Sequence, residues 1–182
     1  TDFSEALKAG MREDPDVVLV GEMRDIETMS LALAAAETGL LVFGTMHTNS
    51  AAKAIDRLLN AFSTDEQDTV RSVLSDTLKG VLAQQLLRRV GGGRVAAVEV
   101  LLGSPALGSL IREGKTHQVA NVIGMGKKRG MVSMDDALMI HLKAELISAE
   151  AAYEKAIDKK AFRKRLAQEV GVVIDVGDDE ED

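Results

Sequence analysis

The chain contains no cysteine, which excludes both a disulfide and a thiolate metal site and fits a reducing compartment. Only two prolines occur in 182 residues. Pro15 is placed to stop a helix, and Pro105 follows Ser104 where a helix can start. No apolar run approaches the ~20 residues that a membrane-spanning helix needs, and the first residues do not read as a signal peptide. Positive charge is also short, with 22 Lys and Arg against 29 Asp and Glu, a balance of −7. That argues against a general nucleic-acid binder, whose affinity comes from neutralising phosphates. Part of the acidic excess lies in Asp175 and residues 178–182, which read as a solvated tail. The rest is ordinary for a soluble globular protein: 46% apolar, 28% charged, and long enough for one domain with an appendage.

The most informative stretch is Val17-Val18-Leu19-Val20-Gly21-Glu22, an apolar, β-branched run that ends in an acid. A second run, Leu40-Leu41-Val42-Phe43-Gly44-Thr45-Met46-His47, ends in a histidine. Both read as strands buried on two faces of a sheet, each delivering an ionisable group to its carboxyl end, where open α/β folds bind their ligands. A helix is predicted over 3–14, with Phe3, Leu7 and Met11 on one face and Asp2 and Glu5 at capping-box spacing. Asp25 can cap a second helix, lined by Met29, Leu33 and Ala36 and ended by Gly39. The order α-β-α-β with short connections predicts an α/β fold with parallel neighbouring strands.

Ser50 can cap a helix carrying Ile55, Leu58 and Leu59. Thr64 and Gln67 have the spacing of another capping box, opening a long helix through Val70, Val73, Leu74, Leu78, Val81 and Leu82. Residues 86–90, a Gly91-Gly92-Gly93 turn and residues 94–102 predict a β-hairpin. Helices follow from Ser104-Pro105, with Leu107, Leu110 and Ile111 on one stripe, and from Ser133 and Ser148 to about residue 170. The expected organisation is an α/β core over 1–103, a small helical bundle over 104–170 and an acidic, disordered tail over 171–182.

Glu22 suits phosphoryl-transfer chemistry, in which an acid holds magnesium or polarises the attacking water, although a surface glutamate after a strand fits the same spacing. His47, between Thr45 and Thr48, can donate to a phosphate oxygen or simply face solvent. Arg24 can serve a phosphate or a neighbouring subunit, and Asp25 is a helix cap. Asp56 and Arg57 read as a surface salt bridge, and His117 and His141 as structural or exposed. The three glycines at 91–93 lie between strands and so form a turn rather than a phosphate cradle. Gly124, Gly126 and Lys127-Lys128-Arg129 read as a mobile solvated connection. Lys159, Lys160, Arg163, Lys164 and Arg165 form one exposed helix face, with a docking surface for an acidic partner as the alternative.

Residues 13–25, Glu13-Asp14-Pro15-Asp16-Val17-Val18-Leu19-Val20-Gly21-Glu22-Met23-Arg24-Asp25, resemble the Walker B segment of the secretion ATPase superfamily. Residues 44–57, Gly44-Thr45-Met46-His47-Thr48-Asn49-Ser50-Ala51-Ala52-Lys53-Ala54-Ile55-Asp56-Arg57, resemble its histidine box. The likeness covers about residues 1–165 and is to the carboxyl-terminal half of the type IV pilus retraction branch. Lack of a cysteine-rich zinc insert before the hairpin favours that branch over pilus-assembly and type II secretion ATPases.

The resemblance implies a RecA-like parallel sheet, a terminal hairpin and a small helical bundle. It implies ATP and magnesium as cofactors, Glu22 and His47 as catalytic residues, and Gly21, Glu22, Arg24 and Thr48 against the nucleotide, with Glu22 near the metal. Leu110, Ile111, Arg112 and Glu113 match a segment associated with retraction, in which Gly108-Ser109 replaces a more polar pair. The implied parent is a cytoplasmic homohexamer at the inner membrane, bound to a pilus platform protein and to a related accessory ATPase, with no nucleic-acid partner. A non-hydrolysing accessory paralogue, or an assembly or secretion ATPase, is the alternative. The family's P-loop lysine has no counterpart here, so the chain is expected to be a fragment that by itself hydrolyses no ATP.

Overall fold

The computed structural model describes Glu5 and residues 9–174. Phe3, Leu7 and Asp2 of the first predicted helix, and the acidic residues from 175 onward, lie outside the described residues. Ahead of Pro15 the described chain makes a 3-10 turn over Met11–Glu13.

Strand β1 (Val17–Val20) leads through Asp25 into α1 (Ile26–Glu37), and the chain returns in β2 (Leu41–Gly44), parallel to β1. Asp25 accepts from the Thr28 amide at 2.8 Å and from its hydroxyl at 3.0 Å, the cap that the sequence predicts. Val17 pairs with Leu41 and Val20 with Gly44, so both strands end at the same edge. Val20 is fully buried on the side that α1 covers. The other side departs from expectation. Val17, Leu19, Leu41 and Phe43 are exposed, Leu19 by 72%, because no described element packs over that face. An apolar run on both sides of a strand therefore announces two coverings, of which the described residues supply one.

Helix α2 (Ala51–Leu59) starts at Ser50, whose hydroxyl accepts from the Lys53 amide at 3.3 Å, and buries Ile55, Leu58 and Leu59 as predicted. Helix α3 (Thr64–Thr77) departs from the sequence reading at both ends. Its capping box is Ser63 with Glu66, one residue earlier than Thr64 with Gln67: the Ser63 amide and hydroxyl meet Glu66 Oε2 at 3.0 and 2.6 Å. Both frames have the right spacing, but only the earlier one places a carboxylate against the positive end of the helix. At the far end, Val81 and Leu82 do not continue the helix. Leu78 is extended, and the chain enters β3 (Gly80–Arg88), which pairs antiparallel with β4 (Arg94–Leu102) from Gly80–Leu102 to Arg88–Arg94. Apolar residues at helical spacing were recruited by a long ladder partner. Gly91, Gly92 and Gly93 all have positive φ, from 78 to 111°, and close the hairpin as a turn.

After the hairpin come α4 (Pro105–Arg112), α5 (Val119–Met125), α6 (Met134–Lys143), α7 (Ala149–Lys155) and α8 (Lys159–Arg165). Ser104, Ser133 and Ser148 each accept from the amide three residues on, at 3.1 to 3.2 Å, which bears out all three predicted starts. Residues 127–129 form a 3-10 turn, and Lys127 pairs with Asp136 at 2.7 Å. His141 is structural, its Nε2 donating to the Ala96 carbonyl at 2.8 Å.

Packing runs across residue 103, where the sequence places a boundary. One core joins Met29, Ile55, Leu58, Leu59 and Leu74 to Leu101, Leu107, Ile111 and Ile123. A second joins Leu87 and Ala97 of the hairpin to Met134, Leu138, Ala152, Phe162 and Leu166. Its rim is charged: Glu169 accepts from Lys143 at 2.6 Å and from Arg165 Nε at 2.8 Å. Arg165 first, then Lys143, holds the Glu169 carboxyl down at about 2, against an ordinary 4.5. Because the folded value is the lower one, the stabilising effect is present above about pH 4.5 and is lost as pH falls through about 2. An NMR titration of the Glu169 side chain is expected to show that low midpoint, moving upward in Lys143→Ala. A wild-type midpoint near 4.5 would contradict it.

Candidate functional site

The carboxyl ends of β1 and β2 lead into two loops that are stitched together. The Met23 amide donates to the Thr45 carbonyl at 2.9 Å, and the Thr45 hydroxyl donates to the Gly21 carbonyl. A Cβ at Gly44 would lie 2.7 Å from the Met23 methyl, so a larger residue there would have to turn that flexible side chain aside. Gly21 thus frames the site through its backbone.

This stitching brings Glu22 and His47 together across a sequence separation of 25 residues. Glu22 Oε1 lies 2.9 Å from His47 Nε2 and 2.5 Å from Arg24 Nε. The Glu22 side chain is half-buried, whereas Arg24 and His47 stand largely in solvent. The Arg24 hydrogen bond, joined by its charge and by His47, holds the Glu22 carboxyl below the usual carboxylate range against the opposing pull of partial burial. Glu22 in turn raises Arg24. The site therefore presents an ionised acid held between two groups that can both turn toward an incoming anion.

Beside His47 lies an open depression of about 590 Å³ lined by His47, Thr48, Asn49, Lys53 and Arg57. Thr48 is thus placed against it. Asn49, Lys53 and Arg57 were not singled out from sequence as ligand-facing. Lys53 and Arg57 stand four apart on the helix that follows the histidine, a spacing that puts two cations on one face and could have been read. Arg57 does not form the expected surface pair with Asp56 but donates from Nη1 to the His47 carbonyl at 3.2 Å, bracing the loop.

The other predicted residues lie elsewhere. Leu110, Ile111, Arg112 and Glu113 belong to the end of α4, where Ile111 is buried. Arg112 reaches the Ser75 hydroxyl at 2.6 Å and Asp76 at 3.0 Å, and Glu113 pairs with Lys115. Gly108 permits this contact, because a Cβ there would come within 2.9 Å of the Ser75 carbonyl. Of the basic stretch at 159–165, Lys159 turns inward to the Tyr153 and Glu154 carbonyls, and Arg165 to Asp136 and Glu169, leaving Lys160, Arg163 and Lys164 exposed.

Among the described residues no group of three or more His, Asp or Glu side chains could hold a metal ion. A single carboxylate at the site, Glu22, suits magnesium, which takes one or two protein carboxylates and completes its shell with phosphate and water.

The family described as "Type II/IV secretion system protein" matches residues 1–169. The chain is 54% identical over 154 residues to the type IV pilus retractation ATPase PilT of Pseudomonas aeruginosa, covering 85% of this chain and 45% of the relative. It is 50% identical over 161 residues to a twitching motility protein of Neisseria gonorrhoeae, covering 88% and 43%. Among solved structures, the pilus retraction motor PilT with bound ADP superposes with a TM-score of 0.80 at 46% identity, over 88% of this chain and 45% of that one. The chain therefore spans less than half the length of the relatives it matches.

Proposed function

Because the chain belongs to the type II/IV secretion system protein family, we propose that it supplies the acid and histidine side of the ATP site of a motor that retracts type IV pili. The observation that carries this reading is the meeting of Glu22 and His47, at 2.9 Å, on the edge formed by two parallel strand ends. Sites that cleave a phosphoanhydride by positioning and charge need an acid for the water and a donor for the terminal phosphate, and these residue types supply both. Glu22 orients the attacking water and accepts its proton. His47, freed from Glu22, donates from Nε2 to the terminal phosphate. Thr48 on the lining of the depression and Arg24, released from Glu22, accompany it in this reading, and Lys53 and Arg57 give the depression a positive field that draws the nucleotide in. Glu22 would stand near the magnesium carried by the nucleotide, holding it directly or through a water, and the ion would supply neutralisation of the charge that develops on the phosphates.

In this reading the working protein is a ring of like subunits at the cytoplasmic side of the inner membrane, pulling against a platform protein, with α4 and its Leu110–Glu113 end transmitting force. A related accessory ATPase can share that ring. Among the described residues no helix is long and apolar enough to cross a membrane. Deletion of the gene is expected to leave cells with excess surface pili and no twitching, restored by the full-length gene. Bald cells would overturn a role in retraction.

A further inference from the structure

Glu99 on β4 is the only buried acid among the described residues, at 6% exposure, and nothing in the proposed chemistry uses it. Its two oxygens serve two different helices. Oε1 accepts from the amide of Ala51, the first residue of α2, at 2.7 Å, and Oε2 accepts from the amide of Met134, the first residue of α6, at 3.0 Å. First-turn amides have no acceptor within their own helix, and a carboxyl is favoured beside them. Ser50 and Ser133 satisfy amides further along each turn, so each helix start is held by a serine and by one oxygen of the same glutamate.

The two helices belong to different cores. Ile55, Leu58 and Leu59 of α2 pack in the first, and Met134 and Leu138 of α6 in the second. Ala51 and Met134 are themselves fully buried, so no water can replace Glu99 as their acceptor without a rearrangement. Residues 47–50, which carry His47, end where α2 begins. A displacement of that loop moves the Ala51 amide against a partner whose other oxygen is fixed to α6.

We propose that Glu99 is a positioning residue that makes the histidine loop and the helices after residue 133 move as one. The proposal rests on the reading of the His47 depression as a nucleotide site. Hydrogen-bond energy falls steeply with distance and angle, so α6 must follow the loop or leave a buried amide unpaired.

The test uses the full-length protein with ADP and with a non-hydrolysable ATP analogue, followed by hydrogen–deuterium exchange on peptides covering 45–57 and 131–143. In wild type both peptides are expected to change exchange rate on nucleotide binding. Glu99→Gln keeps the side-chain shape but turns an amide toward one of the two N–H donors, so one helix start loses its acceptor. In E99Q the affinity is expected to stay within about threefold and 45–57 to respond, while the response of 131–143 falls by at least about half. Its kcat is expected to drop about tenfold with KM within about twofold, a split that a general loss of stability does not give. Glu99→Asp, too short to reach both helices, is the second variant should E99Q not fold. A wild-type protein that binds nucleotide without a response at 131–143, or variants that still transmit it, would overturn the coupling alone. Absence of nucleotide binding by wild type would overturn the proposed function and this inference with it.

Discussion

Glu22→Gln in the full-length protein is expected to cut ATP turnover by about 10²–10⁴-fold, the range that loss of a positioned acid–base group produces. The substitution keeps the size of the side chain and one acceptor oxygen, so ATP affinity should stay within about threefold. It removes the charge that now holds Arg24 and His47 on the same oxygen. Folding should not be affected, because Arg24 and His47 are solvent-facing and an exposed pair contributes little stability. Glu22 and His47 are proposed to serve one step, so the double variant with His47→Ala should be scarcely slower than Glu22→Gln alone. Steady-state hydrolysis assays on the four proteins decide the matter. A loss below about tenfold in Glu22→Gln would remove it from the reaction.

Phe162→Ala carries the largest expected cost to stability. Phe162 has no exposed surface and packs with Leu138, Met134 and Leu166, all equally buried. Truncating an aromatic ring in such a place removes its transfer free energy and leaves a cavity, at a cost of about 3–5 kcal/mol. For a chain of this size each kcal/mol lowers Tm by about 2–4 °C. Denaturant and thermal unfolding should both show the loss, and a change under about 1 kcal/mol would mean that the second core relaxes around the gap. Phe162 belongs to a different core from Met29 and Ile55, so the Glu22 titration should be unchanged in the folded variant.

Some of this was legible from residues alone. Ser50, Ser104, Ser133 and Ser148 mark helix starts because their hydroxyls serve amides a few residues away, and that chemistry is local. Glu22 and His47 were legible because strand ends in a parallel sheet share an edge, so two short runs suffice to place both groups. Three features were not. Val81 and Leu82 have helical spacing, yet pairing with Val100 and Leu101 decides their state, and that partner lies almost twenty residues on. Arg57 stands next to Asp56 in sequence but finds the His47 carbonyl, an outcome set by the curl of the loop before α2. Glu99 sits among valines in an unremarkable strand pattern. Its role follows from two helix starts, at Ala51 and Met134, that only the folded chain brings to it.

The uncovered side of the β1–β2 pair has a practical consequence for anyone handling these residues by themselves. Within the described residues that sheet has two strands and hence two unpaired edges, flanked by an oily row of Val17, Leu19, Leu41 and Phe43. Such a surface is a template for another copy, in register or out of it. Concentrated preparations of this stretch are expected to self-associate through the very strands that deliver Glu22 and His47, which light scattering against concentration would show. Lysine at Leu19 and Phe43 is the remedy that leaves the Val20 side of the sheet intact.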